Sequence, residues 1–298
     1  MRPSVLESAF RLLALGFCVM AFALTPAYAQ NSAVTSTPAV VEAGSPELIH
    51  VDAPASAALE GEWMGHRLAF FRAAGGRGWY ALAGVDVEAS PGPSTLQITE
   101  KLSDGATRDL SRSVDVLPGH YRIEAITVAP RFVAPPPAAL ARIKAEIALK
   151  EKVFSESAPQ PLWTGDFHAP VRAAPTDSFG TRRTFNGELA SVHKGMDFRA
   201  RMGTPVRASN SGVVVLARRL YYEGNCVVID HGLGLYTISM HLSRIGVHEG
   251  QRVAQGQLLG LSGATGRVTG PHLHWAVRWQ DAYLDPAKLL RLNLTQAR

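Results

Sequence analysis

Between about Pro46 and Pro130, apolar and polar positions alternate in short runs: LIHVDA, HRLAFFRA, WYALAGVDV, STLQITEKL and YRIEAITVA. Turn clusters such as AAGGRG, ASPGPS, SDGATRD and LPGH separate them. A period of two sends successive side chains to opposite faces, so each run reads as a strand with one face buried. Short strands with regular turns predict a small β-sandwich-like domain over 46–130. The pattern then breaks at Pro135-Pro136-Pro137, and AALARIKAEIALKEKVFS has the composition of a helix. Leu140, Ile143, Ile147 and Phe154 fall near one side of it and predict a partial apolar stripe. This reads as a Pro-rich linker with a connector helix, 131–161. From 162 to 298 the runs GVVVLARRLY, NCVVIDHG, LYTISMHL, LLGLSG and PHLHWAVRW are strands by propensity. The turns DHGLGL and YEGN predict hairpins, and a helical pattern returns only in the short AKLLRLNL tail. The second half is expected to be predominantly antiparallel β, and the chain as a whole mainly β.

The first residues change the picture. Arg2 and Arg11 precede the apolar run LLALGFCVMAFAL, which is followed by Pro26 and the small-residue pattern Ala27-Tyr28-Ala29. That layout predicts a secretory signal over 1–29, cleaved after Ala29. The apolar stretch is short for a membrane-spanning helix, with an uncleaved anchor as the alternative. Residues 30–45, rich in Ala, Ser, Thr and Pro, are expected to form a flexible leader. Removing the signal also removes Cys18, which leaves Cys226 alone in CVVID and excludes an internal disulfide. Cys226 reads as a buried apolar residue. The 298 residues are 46% hydrophobic and 18% charged with net charge +5, the balance of a globular chain of two domains. Setting aside Arg2, Arg11 and Glu7 leaves about +4, mild basicity without the Lys/Arg block that nucleic-acid binding calls for. The expected setting is periplasmic or secreted, with no membrane span once the signal is gone.

Among ten histidines, four stand out: His193 in VHKGMDFRA, which also holds Asp197; His241 in SMHLSRIG; and His272 and His274 in GPHLHW. Residues i and i+2 of a strand face the same way, so His272 and His274 look into one place. A catalytic zinc typically takes three protein ligands from His and Asp/Glu and keeps one position for water. His193, Asp197 and one member of the His-x-His pair would make such a set, with the other histidine and His241 beside it. H-x-x-x-D by itself is a weak signal and H-x-H a moderate one. The combination in this order is stronger than either.

Other readings fail on the residues. VHEGQRVAQGQLLG has the look of a biotinyl- or lipoyl-carrier hairpin, but no lysine lies between Lys194 and Lys288. The stretch is read instead as a shared hairpin shape. GATGRVTGP lacks a Walker lysine and a following helix, and is read as a groove-wall loop delivering His272 and His274. Ser239 and Ser243 flank His241, yet no G-x-S-x-G elbow supports a serine hydrolase. His231 reads as a turn histidine near the site, and His50, His66, His120, His168 and His248 as surface or packing residues.

From about Leu162 to Pro286 the chain resembles the lysostaphin/LytM-type zinc endopeptidases of bacterial peptidoglycan. The resemblance rests on SFGTRR, FNG, HKGMDFRA, GTPVRAS, YYEGNCVVIDHG, LYTISMHLSRIGV, EGQRVAQGQLLGLSGATGRVTGPHLHWAVR and LDP. The sandwich-like domain resembles the accessory amino-terminal module of some Gram-negative members. The resemblance implies an antiparallel sheet walling a narrow groove, and one zinc per chain held by His193, Asp197 and His274. It also implies catalytic, non-ligand roles for His241 and His272. Two neutral imidazoles and one carboxylate leave a zinc centre of net charge about +1, which lowers the pKa of bound water toward about 7. A tyrosine that some members place upstream of the H-x-x-x-D histidine is missing from TRRTFNGELASVH, so Arg183 or Asn186 is expected to donate to substrate there. The implied function is hydrolysis of peptide cross-links or stem peptides of peptidoglycan. Its alternative is a non-catalytic or latent wall-binding or amidase-activating protein, in which the amino-terminal domain or the connector covers the groove.

Overall fold

The computed structural model describes residues 33–72, 78–127, 129–185 and 188–297. The expected signal over 1–29 and Asn186 lie outside these residues. Among them no helix is long and apolar enough to cross a membrane.

The amino-terminal half is a sandwich of two sheets, as the alternating runs predict. One sheet has four strands, with Pro46–Val51 between Val34–Thr37 and Trp79–Gly84. The other has five and is built on the long hairpin Gly92–Lys101 and Thr107–Leu117, which turns at Gly105 with φ +86. Alternation along Thr107–Leu117 buries Leu110, Val114 and Val116 between the sheets. The segment expected as a flexible leader departs from its composition. Val34–Thr37 pairs with Pro46–Val51, Val41–Glu42 pairs with the end of the long hairpin, and Val34 and Val41 are buried. Two valines at the right register outweigh the polar residues around them, because an edge strand needs only one buried face.

The carboxy-terminal half centres on an eight-stranded sheet whose pairings are all antiparallel. Its central strand, Leu273–Trp279, explains its layering. Leu273, Trp275, Val277 and Trp279 are buried on one face, in the core shared with the amino-terminal sandwich. Ala276, on the other face, joins Tyr236, Ile238, Leu216, Val228 and Cys226 in a second core. Each large side chain buried in these layers stabilises the fold by about 1.5–3 kcal/mol. Cys226 is a free, buried cysteine, as its apolar surroundings predict.

Two local expectations are corrected. The helix Pro137–Ser155 forms, but Leu140 and Ile147 point to solvent, 52% and 48% exposed. Its contact side runs instead through polar groups and then apolar ones. Glu146 accepts from the Tyr221 backbone N–H at 2.7 Å, Lys150 pairs with Glu223, and Leu149, Val153 and Phe154 cover the second core. The first half of the helix meets the backbone of Arg219 and Tyr221 at a strand end, so polar side chains match it better than leucine and isoleucine do. Likewise VHEGQRVAQGQLLG is not a hairpin. Arg252–Val253 pairs with Gly212–Leu220, while Leu258–Leu261 pairs with Pro205–Arg207 and Arg244–Ile245 in a separate sheet.

The two halves are tightly docked. The Asp285 N–H donates to Gly44 O at 2.7 Å, the Tyr283 N–H donates to the Asp86 carboxylate at 2.7 Å, and Lys288 pairs with Glu42 at 2.6 Å. Gly84 has no room for a side chain, because a Cβ there would overlap Leu284.

Candidate metal centre

Strand register assembles the site. Asp197, in Met196–Phe198, sits directly opposite His274 of the central strand, and His274 is flanked on its other side by Met240. His193 ends the approach from Glu188–Val192, and Lys194-Gly195 turns the chain into the Asp197 strand. Gly195 is needed there, because a Cβ would overlap the His274 ring. The result is a closed triangle: His193 Nε2 to Asp197 Oδ1 is 3.1 Å, His193 Nε2 to His274 Nδ1 is 2.9 Å, and His274 Nδ1 to Asp197 Oδ1 is 2.9 Å. Among the described residues this is the one group of three His, Cys, Asp or Glu side chains arranged to hold a metal ion. The set fits zinc in kind, with two imidazole nitrogens and a carboxylate oxygen. It also fits in size, since ligand atoms about 2.0–2.1 Å from a tetrahedral ion stand about 3.3 Å apart.

Neighbours that sequence reasoning missed fix the orientation of each ring. His193 Nδ1–H donates to Ser178 O at 3.0 Å and lies 3.2 Å from the Asp177 carboxylate. A carbonyl can only accept, so Nδ1 carries the proton and Nε2 faces the triangle with a lone pair. Burial disfavours a charged His193, but Asp177 and Asp197 outweigh it and raise its pKa. For Asp197, burial is likewise outweighed, here by the two histidines, and its carboxyl lies well below the usual range. Arg183 lies between Asp177 and Asp197, at 3.0 Å from Asp197 Oδ2, and so holds the Asp197 carboxylate from behind while also lining the groove. Only its position in the fold reveals a partner such as the Ser178 carbonyl, because a backbone oxygen has no residue-type signature.

His241 and His272 stand beside the triangle, their ring centroids 5.0 Å apart. His241 Nδ1–H donates to Thr265 O at 2.9 Å and His272 Nδ1–H to Gly270 O at 2.8 Å. Each ring therefore turns Nε2 away from its carbonyl partner, and that of His272 lies 3.7 Å from Asp197 Oδ1. His241 has φ +63, at a bulge where one extra residue enters the strand Leu235–Leu242 opposite Asn225 and Val227. Histidine is among the residues that adopt this left-handed conformation, and a bulge re-aims a side chain out of its pleat. Burial, then the nearby His274 and His272 rings, pushes the His241 pKa down to about 3, so the ring is neutral near pH 7. All five residues and Arg183 line a groove of about 980 Å³. The 262–272 connection supplies Arg267, Val268 and Thr269 to its wall, as GATGRVTGP predicts. His231, in contrast, is fully buried and bonded to Ser211 O and Thr237 Oγ1, away from the groove.

The comparisons with known proteins agree with this geometry. Residues 191–286 match peptidase family M23. That segment carries the triangle, His241 and the His-x-His pair, so the half of the chain that holds the site is similar to the M23 peptidases. The peptidoglycan DD-endopeptidase ShyA of Vibrio cholerae is 57% identical over 105 residues, 35% of this chain and 24% of ShyA. The DD-carboxypeptidase/endopeptidase Mpg of Neisseria meningitidis serogroup B is 43% identical over 108 residues, 36% of this chain and 25% of Mpg. The matched segments thus span about a quarter of these curated relatives. A Pseudomonas aeruginosa protein assigned to peptidase M23 has a crystal structure that is 28% identical with a TM-score of 0.66. The likeness covers 84% of this chain and 94% of that one, so it reaches beyond the carboxy-terminal half into the amino-terminal sandwich.

Proposed function

We propose that this protein is an exported zinc metalloendopeptidase, with one zinc per chain, that hydrolyses peptide bonds in bacterial peptidoglycan. The observation that carries the reading is the pairing of a complete His193–Asp197–His274 triangle with two histidines anchored through Nδ1 in one groove. When bound, zinc supplies a Lewis acid that acidifies water and polarises a carbonyl. The chain does the rest. The Ser178 carbonyl and Arg183 hold His193 and Asp197 in ligating orientation. The Nε2 atoms of His241 and His272 accept a proton from the attacking water, return it to the leaving amine, or, once protonated, hold the developing oxyanion. Peptidoglycan as the substrate rests on the similarity to ShyA and Mpg, and a periplasmic or secreted location on the sequence of the first 29 residues. Purified protein should carry about one zinc per chain. Mass spectrometry of muropeptides digested with and without chelator should show cleavage that the chelator abolishes. A folded, zinc-loaded protein that binds the wall and cuts no bond would instead establish the non-catalytic reading.

A further inference from the structure

The groove is not built by the carboxy-terminal half alone. The strand Ile123–Ile126, expected in the sandwich, instead follows its last strand as a linking segment: it runs parallel to Arg182–Phe185 and completes a three-stranded sheet with Glu188–Val192. Around it the linker is fastened at several points. The Arg182 N–H donates to Arg122 O at 2.8 Å, and Arg122 Nη2 donates to the Asp177 carboxylate and to Ser178 Oγ, each at 3.3 Å. The Tyr121 hydroxyl donates to Ala43 O at 2.5 Å, while its ring stands edge-on to Phe179. Alternate residues of the strand face the same way, and Glu124 and Ile126 both line the groove that holds the metal triangle.

Among the described carboxylates that line the groove, charge pairing singles out Glu124. Arg183 is held by Asp177 and Asp197, Lys194 pairs with Glu88 at 2.7 Å, and Glu223 pairs with Lys150. Glu124 is exposed at the groove wall and makes no ion pair among the described residues. A carboxylate only accepts hydrogen bonds when ionised, so its complement is a donor, best of all a charged one. We infer that the linker strand is a specificity wall of the groove, with Glu124 binding an ammonium group of an extended peptide substrate. This rests on reading the groove as the peptide-binding site.

The test uses the full chain with His272→Ala to stop turnover, and measures binding of synthetic stem peptides that bear one free amine or the same amine acetylated. The ammonium form should bind about fivefold more tightly, the scale of a partly shielded surface ion pair. Glu124→Gln should remove that ratio and Glu124→Lys should invert it. Raising salt from about 0.05 M to about 0.5 M should shrink it. A ratio of one in the parent, or a ratio unchanged in Glu124→Gln, overturns the inference. Wild-type protein that cleaves these peptides with no such ratio keeps the hydrolase reading and rejects the wall. A Glu124-dependent ratio without cleavage by the wild type keeps the wall and rejects the hydrolase. If neither peptide binds, the inference fails.

Discussion

His272 and His274 look alike in the sequence and differ in what their nitrogens meet. His274 points Nδ1 into the triangle, whereas His272 spends its Nδ1–H on Gly270 O and stands beside it. His274→Ala should therefore lose metal, measured by elemental analysis after dialysis. His272→Ala should keep about one zinc and lose 10²-fold or more in kcat, roughly the worth of a positioned acid–base group. Equal loss of zinc in both would overturn this division. Arg183 is the second residue-scale case. The sequence predicts that it donates to substrate, and the fold places it on a strand between Asp177 and Asp197. Arg183→Gln should weaken zinc binding or activity by roughly 10–100-fold, as loss of a ligand's supporting partner does. A rise in KM with zinc affinity intact would assign Arg183 to substrate instead. Asp197 could be named from H-x-x-x-D, but Asp177 could not, since its role depends on Arg183 and His193 arriving beside it in space.

At the scale of elements, the connector helix shows how an apolar stripe misleads. Leu140 and Ile147 fit a helical period yet face solvent, while Phe154 stands edge-on to Tyr236 with Arg278 stacked 4.3 Å from its ring centroid. Phe154→Ala should cost about 2 kcal/mol, less than a fully buried Phe because this one is only part-buried. Leu140→Ala should stay within about 0.5 kcal/mol of wild type. Denaturant unfolding of the two variants checks the contrast, and comparable losses would place the helix on its other side. The strands were more legible than the helix. A strand such as LHWAVRW buries Leu273, Trp275, Val277 and Trp279 at alternate positions, so its residue types alone announce it. Which strands pair was not legible, and the supposed carrier-like hairpin went to two different sheets for that reason.

For the whole molecule, stability should depend on pH through His231. It is fully buried, donates Nδ1–H to Ser211 O and accepts from Thr237 Oγ1, both at 2.8 Å, so both nitrogens are satisfied in the neutral ring. Burial pushes its pKa down to about 4. An unfolded histidine titrates near 6.5, so between about pH 6.5 and 4 the unfolded chain takes up a proton that the folded chain refuses. Stability is then lost as pH falls through that window, by on the order of 3 kcal/mol from this group. Denaturant unfolding in chelator at several pH values should show a shallower acid-side slope for His231→Asn than for wild type. Identical slopes would remove His231 as a source of acid sensitivity. The docking of the sandwich also belongs to this scale. The Glu42–Lys288 pair, the Asp86–Tyr283 bond and a core shared across the two halves make the sandwich and the carboxy-terminal half one packed body.

The alternation of residue types specified a mainly β chain with a connector helix, and the order of H-x-x-x-D, His241 and H-x-H marked the chemistry. Both are local: period, turn residues and ligand types are written in a few adjacent positions. Long-range register supplied everything else. It set Asp197 opposite His274, turned His241 out of its strand at a bulge, and brought Asp177, Ser178 and Thr265 to hold the rings. It also drew Val34 and Val41 into the sandwich and laid the linker strand along the groove. Those contacts join residues more than ten and up to 77 positions apart, and their partners are often backbone atoms common to every residue. No local pattern encodes such a pairing, and only the folded packing selects it.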